Sequence, residues 1–239
     1  MAEPPAPSTS GVFLKVARTR DQLAAETEAL RAFGSHRAVE VRETRTADQT
    51  LVLERVLPGA SLASLATEDE AMRVLVRLLA PGWPPVPERA VAEPLASLAR
   101  TLDGQQPALG RAGRVLAELL QDEREVALLH GDLHYENIIS SDRAGYLLID
   151  PKGVIGAPAF DIGYLVSRPA PSARDALPMP RAIDRRLGFL PDALGLDPQR
   201  VAAYAYVAAA LSMAWAIEDR DGSRDAFEQA MRLLEPRRR

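Results

Sequence analysis

Three polar residues in the middle of the chain could carry a reaction together: Asp132, Asn137 and Asp150. Asp132 follows the apolar run 126–130, where a carboxylate can be presented to a cleft and accept a hydrogen bond from a hydroxyl group. With an ordinary pKa of about 3.9 it is a poor base before reaction. The role it suits is to orient an attacking hydroxyl first and take its proton late. Asn137 offers an amide oxygen, and Asp150, at the end of the apolar run 146–150, offers a second carboxylate. Hard oxygen donors of this kind suit Mg²⁺. An oriented hydroxyl together with a cation that neutralises phosphate charge is what phosphoryl transfer asks of a protein, because the step needs little covalent help.

Each residue alone is ordinary, since an Asp at a strand end is more often a turn or cap residue than a catalyst. The pattern carries the weight. His130-x-Asp132-x-x-x-x-Asn137 has the spacing of a kinase catalytic loop, and Asp150 then stands where the metal-binding Asp of a kinase would be. Lys15 adds an independent sign: it sits inside the apolar run 12–17, where a cationic end is costly unless it reaches a partner or a ligand. ATP phosphates would be that ligand, with Glu26 on the following helix as the ion-pair partner and Glu28 as the alternative. The plainer reading of Lys15, a snorkelling or edge-strand lysine, would prevail without the downstream motif.

Six other residues take part in the reading. His130 ends a buried strand and fits a hydrogen-bonded scaffold histidine better than a metal ligand or base. His134 lies in a loop with no third soft ligand nearby, which argues against zinc. Lys152 could steady the transferred phosphate, pair with an active-site carboxylate, or be a plain loop lysine; the sequence leaves these open. Trp215, Glu218 and Asp219 close a long helix, and an acidic, aromatic edge there could hold a cationic acceptor, although a packed Trp beside two solvated acids is the plainer reading.

The elements that must position these residues are legible in outline. Residues 12–17, 38–45 and 50–57 read as strands, and residues 20–33 as a helix that opens on a Thr19-x-x-Gln22 capping box and stops at Gly34. The N-terminal third is therefore β-α-β-β. Pro58-Gly59 interrupts the strand pattern and sets a lobe boundary near 57–60. Helices follow over 67–80, 89–103 and 108–122. A compact β insert spans 126–130, 137–139 and 146–150 with a turn at 142–145, and two helices, from Asp197 to about Glu218 and over 223–235, close the chain. Residues 1–10, rich in Pro, Ser and Ala, read as a mobile arm, 11–57 as a shortened nucleotide-binding lobe and 58–239 as a helical lobe with the catalytic loop and acceptor site.

Composition narrows the class. With 47% apolar and 26% charged residues among 239 the chain is an ordinary globular one. Its net charge of −4 argues against a nucleic-acid partner, and the absence of cysteine removes disulfides and thiolate metal sites. No run reaches the ~18 consecutive apolar residues of a membrane span and the N-terminus lacks a secretory layout, so a cytoplasmic protein without a membrane partner is expected.

The stretches HGDLHYEN and LLIDPKGVIGAPAFDIG resemble the aminoglycoside phosphotransferases, most of all the streptomycin 6-kinase and hydroxyurea-resistance branch, in which the metal-binding Asp is followed by Pro-Lys-Gly. FLKVA, ETEALRAFG, LVLERVLPGASL and LSMAWAIEDRDG extend the similarity over most of the chain from about residue 12. The resemblance implies a bilobed α+β protein-kinase-like fold with a small β-rich N-lobe and a larger helical C-lobe. It implies ATP and Mg²⁺, with Asp132 as catalytic base, Asn137 and Asp150 as metal ligands, Lys15 on the ATP phosphates, and backbone groups near Glu54–Val56 as the adenine hinge. Asp161 would brace the catalytic loop. The acceptor implied is an aminoglycoside of the streptomycin type; another small metabolite, or a catalytically silent binding role, are the rivals. One departure stands out: no Gly-rich loop precedes Lys15, and Gly11 alone cannot supply the several backbone N–H groups that cradle phosphates. The chain would then be N-terminally truncated, close over nucleotide differently, or bind it poorly.

Overall fold

The two apolar runs that flank the first helix meet as neighbouring strands in the computed structural model, which describes residues 11–65, 67–103, 106–123, 125–168, 177–220 and 222–235. The expected arm at 1–10 lies outside the described residues. β1 (Val12–Val16), α1 (Arg20–Phe33), β2 (Val41–Arg45) and β3 (Thr50–Glu54) follow one another as read from the sequence. They build an antiparallel sheet of order β1-β3-β2. Thr19 starts α1 by accepting the Gln22 N–H at 3.1 Å, and Gly34 ends it at φ 79°, a conformation that favours glycine. Leu23, Leu30 and Phe33 of α1 and Leu51 and Leu53 of β3 are buried together, whereas β1 lies at the sheet edge with Val12, Phe13, Leu14 and Val16 exposed.

Pro58 and Gly59 do not lead directly into helix. Pro58–Ser61 is itself a strand, β4, paired with β7 (Ile138–Ser141), which pairs in turn with β8 (Gly145–Leu148). The first sheet is tied to this second one by the Val39 N–H donating to the Leu148 carbonyl at 3.1 Å and the Leu148 N–H donating to Arg37 at 2.8 Å. That seam fixes Lys15 relative to the end of β8, where Asp150 lies.

The helical part runs through α2 (Leu62–Leu65), α3 (Glu68–Leu79), α4 (Ala99–Leu102) and α5 (Pro107–Gln121). The capping box of α3 forms, with Thr67 N–H donating to the Glu70 carboxylate at 2.8 Å. A continuous helix over 89–103 does not. Pro94 lacks an N–H and its ring clashes with a preceding turn, so the segment divides into β5 (Glu93–Pro94), a 3₁₀ turn at Leu95–Leu98 and α4. β5 pairs with β9 (Val154–Gly156), and β9 with β6 (Ala127–Leu129), in a third small sheet.

Two helices went unmarked in the sequence: α6 (Pro158–Ser167) and α7 (Met179–Leu194). Every residue of α6 from Ala159 to Ser167 is buried, so it shows no polar face and no helical period. In α7 the prolines 180 and 191 and Gly188 hide the pattern. α8 (Pro198–Glu218) and α9 (Arg224–Leu234) end the fold. α8 is long and apolar enough by length and composition to cross a membrane, yet 72% of its most apolar window is buried within the protein. It is the central core helix.

α6 and α8 pack so closely that a Cβ on Gly163 would lie 2.6 Å from the Ala205 nitrogen and 2.8 Å from the Tyr204 carbonyl carbon. Both are backbone atoms, which cannot rotate away. Gly163→Ala should therefore cost about 1–3 kcal/mol through overpacking, lowering the melting temperature by roughly 3–10 °C. An unchanged melting curve would show that α6 and α8 can separate freely.

Candidate active site

The residues read from the sequence converge where β6, β8 and the start of α6 meet. Asp161, in the first turn of α6, accepts three hydrogen bonds: from Gly131 N–H at 2.8 Å, His130 N–H at 2.9 Å and the Trp83 indole N–H at 2.8 Å. The carboxyl is fully enclosed, and burial pushes its pKa up to about 6 while these donors pull it down. It is thus ionised at neutral pH and fixes the backbone just ahead of Asp132.

His130 is buried too. Its Nε2 lies 2.9 Å from the Ile149 carbonyl and must donate, while its Nδ1 lies 3.3 Å from the Asp132 N–H and must accept. A ring that donates from one nitrogen and accepts on the other is neutral. Burial pulls its pKa down to about 4. Because the folded value lies below the unfolded one near 6.5, the stability His130 contributes is complete above about pH 6.5 and is lost as pH falls toward 4. Asp161, shifted the other way, opposes this within the same window, so the ring's own titration is the cleaner measurement. Proton NMR should show the His130 ring titrating near 4; an ordinary titration of that ring near 6.5 would rule out the buried neutral tautomer.

Asn137 lies in a 3₁₀ turn, Tyr135–Asn137, directly ahead of β7. Its side-chain Nδ2 donates to the Asp132 carbonyl at 2.9 Å, which leaves the amide oxygen as the donor atom available to a cation. Its backbone carbonyl accepts the Ile149 N–H at 3.0 Å, so Asp150 follows at once on the neighbouring strand end, at φ 56°. Gly153, at φ 65°, presses against α1: a Cβ there would lie 2.6 Å from the Ala25 carbonyl oxygen. This explains the glycine of Pro-Lys-Gly, because the close approach brings Asp150 beside Glu26. Lys15 bridges the two, with Nζ 2.8 Å from Glu26 Oε1 and 3.0 Å from Asp150 Oδ1. Burial would lower the Lys15 pKa, but the two carboxylates outweigh it and hold the ammonium above its ordinary value. Glu28 turns elsewhere and accepts the N–H groups of Val91 and Ala92, each at 3.1 Å.

The Asp132 carboxylate is surrounded by donors. Arg168 Nη2 lies 3.3 Å from Oδ1, Lys152 Nζ 3.5 Å from Oδ2 and His134 Nε2 3.7 Å from Oδ1. The Tyr164 hydroxyl also hydrogen-bonds it. Burial raises the Asp132 pKa, yet Lys152, His134, Tyr164 and Arg168 together bring it below the usual carboxylate value.

An Asp-x-x-x-x-Asn loop beside a Lys–Glu pair that also holds a strand-end Asp has the layout of a phosphoryl-transfer site. Residues 6–221 match the aminoglycoside/hydroxyurea antibiotic resistance kinases. The chain belongs to this kinase family. Among its relatives, a streptomycin 3''-kinase of Klebsiella pneumoniae is 33% identical over 178 residues, covering 71% of this chain and 67% of the relative. A streptomycin 6-kinase of Streptomyces glaucescens is 32% identical over 230 residues, covering 89% and 73%. A hydroxyurea phosphotransferase of Kitasatospora aureofaciens is 31% identical over 224 residues, covering 86% and 62%. Similar solved structures include choline kinase LicA from Streptococcus pneumoniae, with a TM-score of 0.67 at 12% identity, and a thermostable mutant of aminoglycoside phosphotransferase APH(4)-Ia, with 0.63 at 16%; each match covers 95% of this chain and 86% of the other. At such identities these two show the fold alone, and it is the bilobed α+β protein-kinase-like one.

Within this resistance-kinase fold some candidates stand apart from the cluster. The Glu54 carboxylate accepts the Glu40 N–H at 2.9 Å and pairs with Arg143, and its own N–H donates to the Glu40 carbonyl at 3.0 Å. The Arg55 N–H is taken by Gly11 at 3.1 Å, so of the Glu54–Val56 segment only Val56 keeps an N–H with no backbone partner among the described residues. Trp215 does join the site, its ring 4.7 Å from Lys152 Nζ, whereas Glu218 and Asp219 are exposed at the end of α8 and no described contact links them to Asp132. The kinase site also contains residues that the sequence reading did not single out. Tyr164 and Arg168 follow Asp161 at helical spacings of three and seven, a signal that depended on recognising α6. Trp83, distant in sequence, offered none.

Proposed function

We propose that the chain transfers the γ-phosphoryl group of ATP to a hydroxyl of an aminoglycoside of the streptomycin type, in the cytoplasm, as a route to antibiotic resistance. The observation that carries the reading is the Lys15–Glu26–Asp150 ion triad set beside the Asp132–Asn137 loop. The streptomycin kinases among its relatives support the acceptor class.

In this reading Lys15, steadied by Glu26, holds phosphate oxygens, and the Val56 N–H serves the adenine. The Asn137 amide oxygen and the Asp150 carboxylate, which is 47% exposed, form a hard oxygen pair that fits Mg²⁺ shared with the nucleotide phosphates. Bound there, the cation would neutralise phosphate charge. Asp132 receives the hydrogen bond of the acceptor hydroxyl. As the acceptor oxygen bonds to the γ-phosphorus, the bond from that phosphorus to the β,γ-bridging oxygen breaks, ADP leaves, and the hydroxyl proton passes to Asp132. Arg168 fixes the carboxylate meanwhile.

The test is ATP consumption at millimolar Mg²⁺ with streptomycin, other aminoglycosides and simple sugars as acceptors, combined with the melting temperature in Mg–ATP alone. Streptomycin-dependent turnover and a nucleotide-dependent rise in melting temperature are expected. No rise would favour a silent binding protein, and turnover only with a neutral sugar or amino alcohol would replace the acceptor class. The two cations on Asp132 are the observation that keeps that second acceptor class in view.

A further inference from the structure

Lys152 and Arg168 both face Asp132 but are held differently. The Arg168 guanidinium lies 4.6 Å from the Tyr164 ring centre and 5.3 Å from that of Phe227, and also bonds the Tyr164 hydroxyl. It is clamped on Oδ1. The Lys152 side chain is half exposed, and among the described residues its ammonium faces Oδ2, at the longer distance of 3.5 Å, and the Trp215 ring at 4.7 Å. Its backbone is fixed by N–H donation to His130 at 2.8 Å, so the side chain alone can move. Oδ2 is the oxygen that the Arg168 and His134 contacts leave over, and Lys152 is the described cation that faces it.

An ammonium that rests on an indole face and against a carboxylate occupies a cation site. We propose that Lys152 is a built-in occupant of the acceptor's cation subsite: an incoming guanidinium or ammonium group displaces it from Trp215 and Asp132, and this exchange selects cationic acceptors. The inference rests on the acceptor class proposed above and names the residues that would impose it. An uncharged acceptor offers no charge in exchange for the Lys152 contacts on Asp132 and Trp215, so it leaves Lys152 in place. A cationic acceptor restores both contacts, which gives selectivity through a contact made in its absence. The exchange is feasible because half-exposed ion pairs and cation–π contacts are each weak.

The experiment is calorimetric titration, without nucleotide, of the unaltered chain, Lys152→Gln and Lys152→Arg. The ligands are streptomycin, agmatine as a simple guanidinium probe, and myo-inositol as an uncharged polyol. Gln keeps much of the reach but vacates the charge, so Kd for streptomycin and agmatine should fall roughly three- to tenfold, in line with one weak ion pair and one cation–π contact. Arg keeps the cation, and no gain is expected. Myo-inositol should be indifferent. Unchanged or weaker binding of both cations to Lys152→Gln overturns the proposal, as does an equal gain for myo-inositol. If streptomycin binds no variant while agmatine shows the gain, the aminoglycoside reading fails and the cation subsite stands.

Discussion

Asp132→Ala should lower kcat with streptomycin by roughly 10²–10⁴-fold, the usual worth of a positioned general base, while Mg–ATP continues to raise the melting temperature. The separation follows from the layout: the Asp132 carboxylate touches Arg168, Lys152, His134 and Tyr164, and none of these is a contact of Lys15, which meets Glu26 and Asp150 instead. The variant removes an interaction with the acceptor hydroxyl and leaves the phosphate side intact. Because Ala also strips two cations of their partner, Asp132→Asn is the companion variant, keeping shape and losing basicity. Wild-type turnover in both would sink the assignment of the base. Lost nucleotide binding in both would mean that Asp132 supports the ATP site.

Arg186→Met should be the most destabilising single change away from the reacting groups. Arg186 is 1% exposed and donates to both oxygens of Glu68, at 2.7 and 3.2 Å, and to the carbonyls of Leu165 and Arg168 at 2.9 and 2.8 Å. The Tyr135 hydroxyl donates to the same Glu68 carboxylate at 2.9 Å. One buried ion pair thus connects α3, the catalytic loop, the C-terminal end of α6 and α7. Taking away the cation that faces the Glu68 carboxylate should cost about 3–5 kcal/mol. The melting temperature should fall by roughly 6–20 °C. The double variant Arg186→Met/Glu68→Met should recover much of the loss, since well-packed apolar side chains can replace such a pair. A loss below about 1 kcal/mol in Arg186→Met would show that water reaches the pair.

The division between what the sequence disclosed and what it hid has a physical basis. α1 was readable to the residue, and α3 to within one residue at each end, because they carry their own start signals and one apolar face: Thr19 caps the first, and Thr67 with Glu70 the second. The Asp132–Asn137 spacing was readable because a single tight loop, braced at His130 and Gly131, determines it. α6 was not, since burial on all sides erases the period on which helix reading depends. Tyr164 on α6 and Arg168 just past its end were hidden with it. Glu68 was visible only as a first-turn acid of α3, because its partner Arg186 lies on α7, a helix masked by its own prolines. The Trp215, Glu218 and Asp219 group read in sequence as an acceptor edge or, more plainly, as a packed Trp beside two solvated acids; among the described contacts, Trp215 reaches the cluster through Lys152.

Trp83 and Trp215 are the only two tryptophans of the chain, and they stand at opposite ends of the same machinery. The indole of Trp83 donates to the Asp161 carboxylate, which also holds the backbone just ahead of Asp132, and the ring of Trp215 lies beside the lysine that faces Asp132. Their intrinsic emission is therefore a label-free optical probe of both events, with loosening of the loop read at Trp83 and arrival of an acceptor read at Trp215. A Trp83→Phe variant isolates the second signal, so that stopped-flow fluorescence can time acceptor entry separately from phosphoryl transfer.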